Sequence, residues 1–231
     1  MTTVSILIPA YNEEATIITL LQAVAAQSIE GVQFDVIVID DGSKDRTVKL
    51  LEANPGLYTT FIKQLHNGGK GAAIKAGLRV AIGDYILFQD ADLEYDPADY
   101  QQLMLPVLQF DADVIMGSRF LAPKFVRVSY FWHKVGNYLI TFVFNIFNNT
   151  TFTDVYSCYL MFRRTLVDPD LLETEGWEQH AEILSKAVAN GKSLYEVPIC
   201  YQGRTYEEGK KIRAHHAISV IWTIIRMRLF R

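Results

Sequence analysis

The sequence predicts an α/β fold with a mostly parallel sheet and helices on both faces. Short apolar, β-branched runs alternate with segments of helical spacing through the first half of the chain. These runs are almost continuously apolar, which is typical of parallel strands covered on both faces. Polar residues follow directly after several of the runs, where ligands bind in such sheets.

The strands and helices of the first half follow from this alternation. The first run ends at Pro9, and Ile17, Leu20, Leu21 and Val24 then recur at helical spacing. The predicted strands are residues 4–9, 34–39, 58–63, 83–88 and 113–116. The predicted helices between them are residues 13–26, a short helix around 48–51, and residues 72–81 and 97–108.

The pattern changes after residue 119. An aromatic helix is predicted at 134–147, a loop leading into a strand at 154–164, a helix at 178–189 and a short strand at 196–201. The last segment, 217–230, reads as an apolar helix that carries arginines. We interpret residues 1–231 as one domain with two halves, 1–119 and 120–231, the second ending in this amphipathic helix.

Charge is distributed unevenly along the chain. Half of its residues are hydrophobic and 21% are charged, which describes a folded globular protein and excludes a disordered one. The formal net charge is −4, yet residues 117–150 contain four basic and no acidic residues, and residues 203–231 contain seven basic and two acidic ones. The second half is therefore expected to attract an anionic partner or membrane headgroups, and no nucleic-acid partner is predicted.

The cysteine content and hydropathy indicate a cellular setting. Cys158 and Cys200 are too few for a disulfide framework or a zinc site, which favours a reducing cytoplasm. The short apolar run before Pro9 has no basic region ahead of it, which argues against a secretory signal. No stretch reaches the roughly 18 apolar residues of a membrane-spanning helix. We expect a cytoplasmic protein that lies on, and does not cross, a membrane.

Two carboxylates follow the fourth predicted strand. In an extended segment Asp90 and Asp92 point to one face, so both can bind one hard cation, with Mg²⁺ or Mn²⁺ the best match. Glu94 is placed to complete the coordination, directly or through water. The alternative is a solvated acidic turn. A metal in this position would bridge a diphosphate and neutralise the charge on a departing nucleoside diphosphate.

Four motifs follow one another in the first half of the chain: residues 4–14 (VSILIPAYNEE), 38–47 (VIDDGSKDRT), 67–77 (NGGKGAAIKAG) and 84–97 (DYILFQDADLEYDP). In this order they resemble the motifs of glycosyltransferase family 2. The resemblance implies a GT-A fold, in which a Rossmann-like, mostly parallel sheet carries helices on both faces, and inverting transfer from a nucleotide-sugar.

Further motifs are similar to the dolichol-phosphate mannose synthase-like branch of that family, in which the acceptor is often a polyprenyl phosphate. They are Gly117-Ser118-Arg119, residues 153–159 (TDVYSCY), residues 196–199 (EVPI), and Arg204 with residues 208–212 (EGKKI). The resemblance assigns the nucleotide-sugar to residues 1–119 and the acceptor to residues 120–231.

The resemblance assigns roles to individual residues of the first half. The donor-binding set is Pro9, Tyr11, Glu13, Asp40, Lys70, Asp90 and Ala91, and the metal set is Asp90, Asp92 and Glu94. Simpler interpretations exist: Pro9 ends a strand, Glu13 favours a helix N-terminus and Asp40 caps a turn. The loop around Lys70 lacks the phosphate-loop and dinucleotide glycine patterns, so it serves either the donor phosphates or close helix packing.

The nature of the acceptor decides whether a base is needed. A hydroxyl must lose a proton, whereas a phosphate monoester is already an anion and needs cations instead. The predicted acceptor-binding residues are Arg127, Lys134, Asp154 and Lys210, and the predicted catalytic residues are Asp92, Arg119, Arg204 and Glu182. If the acceptor is a hydroxyl, His180 or Asp154 is the candidate base; His180 also fits a surface helix position, and Asp154 a turn.

Three hypotheses follow for function. The first is transfer of a sugar from a UDP- or GDP-linked donor to a polyprenyl phosphate at a membrane surface. The second keeps the donor but uses a hydroxyl acceptor, and the third is a non-catalytic nucleotide-sugar-binding protein. The aromatic helix at 134–147 suits lipid contact or core packing, and the helix at 217–230 suits the membrane interface or contact with another copy of the chain.

Overall fold

The computed structural model describes residues 1–121, 131–203 and 216–229. One seven-stranded sheet has the order β3-β2-β1-β4-β6-β5-β7. Its strands are β1 (Thr2–Ala10), β2 (Val32–Asp40), β3 (Thr60–Lys63), β4 (Tyr85–Phe88), β5 (Val114–Ser118), β6 (Leu160–Arg163) and β7 (Leu194–Pro198). The helices are α1 (Ile17–Ala25), α2 (Thr47–Glu52), α3 (Lys70–Val80), α4 (Tyr100–Phe110), α5 (Phe131–Asn148), α6 (Gln179–Asn190) and α7 (His216–Leu229).

The prediction of a mostly parallel sheet is confirmed. Neighbouring strands run parallel from β3 through β2 and β1 to β4, and β5 is parallel to β7. The exception is β6, which inserts between β4 and β5 and is antiparallel to both. The apolar pattern at 154–164 predicts a strand there, but its direction depends on the connection that precedes it.

Helices pack on the sheet through the apolar stripes that the sequence contains. In α1, residues Ile17, Leu20, Leu21 and Val24 are all buried. The helix is shorter than predicted, because residues 13–16 form turns and not a first helical turn. In α3, Gly77 lies so close to the sheet that an added Cβ would come within 2.9 Å of the Ile39 side chain.

A buried polar side chain fixes the chain where β4 ends. The carboxamide oxygen of Gln89 accepts hydrogen bonds from Tyr100 (2.7 Å) and Tyr159 (2.8 Å). Its amide nitrogen donates to the carbonyl of Asp90 at 3.0 Å. A fully satisfied buried network of this kind defines one conformation. The turn that carries Asp90 and Asp92 is therefore held from the core side.

Helices α5 and α7 pack against each other and expose apolar outer faces. The exposed apolar residues are Phe131, Trp132, Val135, Tyr138, Leu139, Phe142 and Ile146 on α5, and Ile218, Trp222 and Leu229 on α7. Among the described residues, neither helix nor any other is both long and apolar enough to traverse a bilayer. The prediction of a helix at 134–147 is confirmed, and its outer face is lined with aromatic and aliphatic side chains.

Candidate active site

A pocket of about 350 Å³ opens at the carboxyl ends of β1, β4 and β5. It is lined by residues that follow β1, β4 and β5, by the first turn of α3 and by residues of the segment 176–183. Parallel strands bring their carboxyl ends to one edge, which is why residues far apart in the sequence meet here. The position agrees with the location that the polar residues after the strands predict.

The charges on this pocket wall are unbalanced. Among the described residues, five acidic side chains line it, against two permanent cations. The acidic residues are Glu13, Asp41, Asp90, Asp92 and Glu94, and the basic ones are Lys70 and Arg119. The described part of the lining therefore carries net negative charge, which favours the binding of a cation.

Asp90 forms an ion pair with Lys70, the first residue of α3. The ammonium also lies 3.9 Å from the Cys158 sulfur and 5.9 Å from the centre of the Trp177 ring. Burial disfavours both charges, but the Asp90 carboxylate raises the pKa of Lys70 and the ammonium lowers the pKa of Asp90. Both groups are therefore charged at neutral pH.

The acidic turn after β4 offers the hard oxygen ligands that Mg²⁺ and Mn²⁺ prefer. Asp92 Oδ1 accepts a hydrogen bond from the Glu94 amide at 3.1 Å, and Glu94 Oε2 accepts one from the Tyr201 hydroxyl at 2.6 Å. In the described ranges, no three acidic, histidine or cysteine side chains converge as a metal cluster. The ligand chemistry and the negative charge of the wall fit a divalent cation, provided that Lys70 releases Asp90.

Arg119 is held in the pocket by a buried carboxylate. Its guanidinium donates two hydrogen bonds to Asp154, at 2.6 and 2.8 Å, and Asn137 of α5 donates to the same carboxylate at 2.9 Å. Asp154 is fully buried, and although burial disfavours its charge, Arg119 keeps its pKa below the ordinary value. Asp154 thus positions Arg119, which lies over the Tyr201 ring at 5.0 Å.

Glu196 supports this ion pair from behind. Its carboxylate accepts hydrogen bonds from the backbone amides of Thr153 (2.9 Å) and Asp154 (3.0 Å) and from the Thr153 hydroxyl (3.0 Å). The motifs at 153–159 and 196–199, both of which resemble the dolichol-phosphate branch, therefore lie in direct contact. The Glu196 carboxylate of the second motif fixes the backbone at the start of the first.

Glu182 anchors the loop that carries Trp177. Its buried carboxylate accepts hydrogen bonds from the Glu173 and Thr174 amides, both at 2.9 Å, and pairs with Lys186 at 2.9 Å. The same loop, residues 172–178, runs across the start of α3 so closely that a Cβ on Gly71 would collide with the Glu175 backbone. Residue 71 must therefore be glycine while the loop keeps this path.

His180 lies at the base of the pocket between two aromatic rings. Its ring centre is 6.2 Å from that of Phe88 and 5.6 Å from that of Tyr156. Burial, aided by the charge of Lys70, lowers the pKa of His180 to about 4. The imidazole is neutral at pH 7, and its Nε2 has no hydrogen-bond partner among the described residues.

The depressed pKa of His180 predicts a specific acid sensitivity. The unfolded chain, with a histidine pKa near 6.5, binds a proton more readily than the folded state, whose value is about 4. Stability from this group is therefore present above pH 6.5 and is lost as the pH falls toward 4. Urea unfolding at pH 7.5, 5.5 and 4.5 gives the free energy of unfolding at each pH. Between pH 7.5 and 4.5 this free energy should fall less in His180→Gln than in the wild type.

The control for this experiment is His66→Gln, because His66 is an exposed loop residue. That variant should follow the wild-type pH curve. If His180→Gln also follows it, His180 is not held neutral by the fold.

The structure brings most of the predicted donor and metal residues together. Eight of them line the pocket, together with the predicted catalytic residue Arg119; the eight are Pro9, Tyr11, Glu13, Lys70, Asp90, Ala91, Asp92 and Glu94. Four others lie outside the lining that the described residues form: Asp40, Lys134, Asp154 and Glu182. Arg127, Arg204 and Lys210 lie outside the described residues.

The four residues away from the lining have contacts of their own. Asp40 is buried, with Oδ2 accepting from the Ser43 amide at 3.1 Å and Oδ1 unpartnered within the described chain. Lys134 lies over the rings of Phe120 and Tyr138, both at 5.7 Å. Asp154 pairs with Arg119, and Glu182 accepts hydrogen bonds from the backbone of the 172–178 loop.

Sequence reasoning missed several residues on the wall. Asp41 lines the pocket beside the predicted Asp40, and its carboxylate accepts hydrogen bonds from the Gly68 (2.8 Å) and Gly69 (2.9 Å) amides. The doubled aspartate after β2 was the available signal for it. The pocket lining also includes Trp177, Tyr201 and Cys158. The only signal for them was their position within or next to segments that resemble the family's sequences.

Solved structures with this fold place the chain in a structural class. The glucosyl-3-phosphoglycerate synthase of Mycobacterium tuberculosis, in complex with Mn²⁺, UDP and glucosyl-3-phosphoglycerate, matches with a TM-score of 0.70 and 18% identity, over 98% of this chain and 80% of that one. Staphylococcus aureus TarS (residues 1–349) with UDP-GlcNAc matches with a TM-score of 0.63 and 17% identity, over 97% and 66%. The fold is therefore an α/β fold of the GT-A type.

Residues 5–169 match the sequence profile of glycosyl transferase family 2, and the chain belongs to this family. The low-salt glycan biosynthesis hexosyltransferase Agl6 of Haloferax volcanii is 30% identical over 207 residues, covering 89% of this chain and 49% of that protein. The UDP-N-acetylglucosamine–dolichyl-phosphate N-acetylglucosaminyltransferase of Methanococcus voltae is 27% identical over 214 residues, covering 84% and 83%.

A third relative shares a shorter region. The undecaprenyl-phosphate 4-deoxy-4-formamido-L-arabinose transferase of Pseudomonas aeruginosa is 38% identical over 105 residues, covering 44% of this chain and 31% of that protein. The chain thus spans about half of Agl6 and a third of the Pseudomonas enzyme. The resemblance to the branch of dolichol-phosphate sugar transferases is confirmed by these relatives.

Proposed function

We propose that this family 2 glycosyltransferase moves a sugar from a UDP- or GDP-linked donor to a polyprenyl phosphate, with a divalent cation held by Asp90 and Asp92. The observation that carries the proposal is the pocket at the carboxyl edge of the sheet, where the described part of the lining holds five carboxylates and two cations. The relatives named for transfer to undecaprenyl and dolichyl phosphate support the choice of acceptor.

The donor is assigned to the half formed by residues 1–119. Pro9, Tyr11 and Glu13 line the pocket beside the acidic turn and would contact the nucleoside, with Asp40 behind them. Asp90 and Asp92, aided by Glu94, would hold Mg²⁺ or Mn²⁺. When bound there, the cation neutralises the diphosphate and stabilises the nucleoside diphosphate as it leaves.

The acceptor is assigned to the half formed by residues 120–231. A phosphate monoester needs no general base, and neither candidate base suits removal of a proton from a hydroxyl: Asp154 is buried against Arg119, and His180, whose pKa is lowered to about 4, is a weak base. Arg119 presents a guanidinium to the pocket, where it suits a phosphate acceptor. Arg127, Arg204 and Lys210 stay predictions for the same role.

Membrane contact is assigned to the outer faces of α5 and α7. The exposed Trp132, Phe142 and Trp222 belong to apolar stripes, and Arg226 and Arg228 follow in the last turn of α7. Aromatic and basic residues in this order suit the headgroup boundary of a bilayer. The protein would lie peripherally on the cytoplasmic face, where a lipid phosphate is presented.

A transfer assay with radiolabelled UDP- and GDP-sugars tests this function. The acceptors are a short-chain polyprenyl phosphate, the matching polyprenol and a simple sugar, each with and without EDTA. We expect transfer to the phosphate only, lost with EDTA and restored by excess Mn²⁺. Transfer to the hydroxyl compounds in preference would contradict the proposed acceptor, and transfer that persists undiminished in EDTA would contradict the cation.

A further inference from the structure

Lys70 occupies a carboxylate oxygen that the proposed cation also needs. Its ammonium contacts Asp90 Oδ1, and the charge of Asp92 acts on the same ammonium. A divalent cation bound by Asp90 and Asp92 would lie beside this positive charge in a partly buried site, where like charges repel strongly. The Lys70 ammonium and the divalent cation therefore compete for Asp90, unless the ammonium moves to another negatively charged group.

The surroundings of Lys70 indicate what that partner is. Within the described residues, the ammonium also lies 3.9 Å from the Cys158 thiol and 5.9 Å from the Trp177 ring centre, and neither carries a negative charge that could replace Asp90. Lys70 is also the first residue of α3, at the positive end of an 11-residue helix. A cation in this position gains by contact with an anion, and phosphate oxygens are the acceptors that a donor would bring.

We propose that Lys70 competes with the divalent cation for Asp90, and that the diphosphate of the donor ends the competition by taking the ammonium. Cation and donor then bind with positive cooperativity, because each removes an obstacle to the other. This inference rests on the proposed function. By linkage, the factor by which the nucleotide tightens cation binding equals the factor by which the cation tightens nucleotide binding.

Binding measurements with Mn²⁺, UDP and GDP test the competition without any catalytic readout. Free Mn²⁺ is followed by electron paramagnetic resonance, and the Mn²⁺–nucleotide complex is measured separately without protein. We compare the wild type, Lys70→Met and Lys63→Met. Lys63 is exposed and pairs with Glu52 outside the pocket, so its replacement is a control for the same change of charge.

Lys70→Met should bind Mn²⁺ alone about tenfold more tightly than the wild type, since Asp90 is then available. Nucleotide should tighten Mn²⁺ binding in all three proteins, because the cation and the diphosphate are in direct contact, but the factor in Lys70→Met should be smaller by about threefold or more than in the wild type and in Lys63→Met. If Lys70→Met does not fold, Lys70→Arg gives the test with the opposite sign, because a bidentate guanidinium holds Asp90 more firmly and should weaken Mn²⁺ binding.

Two results would overturn the inference, and they differ from each other. Equal or weaker Mn²⁺ binding by Lys70→Met, in a wild type that binds Mn²⁺, removes the competition but leaves the proposed function standing. Absence of Mn²⁺ binding in every protein, with or without nucleotide, removes the cation from the proposed function and the competition with it.

Discussion

Asp92→Asn should reduce sugar transfer by about 100- to 1,000-fold or more, because it removes one of two charges assigned to the cation. The substitution keeps the size of the side chain, and the Asn carboxamide oxygen can accept the same hydrogen bond from the Glu94 amide that Asp92 accepts at 3.1 Å. The fold should therefore persist. Initial rates at saturating donor, together with thermal unfolding, measure both expectations.

Asp170→Asn is the matched control for this loss. Asp170 is an exposed aspartate that pairs with Arg79 and lies away from the pocket lining. Its replacement should leave transfer at the wild-type rate. Normal activity of Asp92→Asn would remove the central support for a cation at the acidic turn, whereas equal losses in both variants would indicate a general effect of lost charge.

Asp154→Ala should destabilise the protein by about 3–5 kcal/mol, because it leaves a largely buried guanidinium without its partner. The Arg119 side chain is 17% exposed and that of Asp154 is 0% exposed. The Arg79–Asp170 pair provides the comparison, with side chains 54% and 72% exposed. Asp170→Ala should cost at most about 1 kcal/mol. Urea unfolding at neutral pH gives both values.

Comparing Asp154→Ala with Arg119→Lys tests whether Asp154 only positions Arg119. If Asp154 only holds Arg119, transfer by Asp154→Ala should fall mainly because Arg119 loses its place. Arg119→Lys, which keeps the charge but not the fork of donors, should then show a similar loss. Equal destabilisation by Asp154→Ala and Asp170→Ala would contradict the buried ion pair.

The sheet and one wall of the pocket were predictable because their signals are local. Apolar runs ending at Pro9 and Phe88 gave the strands, and the rule that ligands bind beyond carboxyl ends placed the acidic turn on the pocket wall. The helices α5 and α7 followed from their apolar spacing. The boundaries of α1 and β7 moved by a few residues, since a turn at 13–16 and irregular backbone at 199–200 replaced regular structure.

Partners across long separations were not predictable in the same way. Asp154 was predicted as an acceptor-binding residue, with a base or a turn residue as alternatives, and its separation of 35 residues from Arg119 gives no sign of the ion pair. Glu182 was predicted as a catalytic residue, and nothing in the sequence indicates that its carboxylate accepts hydrogen bonds from the backbone of residues 173–174. Such contacts depend on how β6 and α6 fold back on the first half, which no local pattern encodes.

The absence of a side chain at Gly71, in the first turn of α3, has a consequence for the design of variants. The carbonyl of Glu175 occupies the space where any residue other than glycine at position 71 would place its Cβ atom. Substitutions along residues 172–178 that keep the backbone path are compatible with this contact, but insertions or a rerouted backbone would require a compensating change at the helix. Variant libraries should therefore hold the length of this segment constant and mutate it together with Gly71 only where a new path is intended.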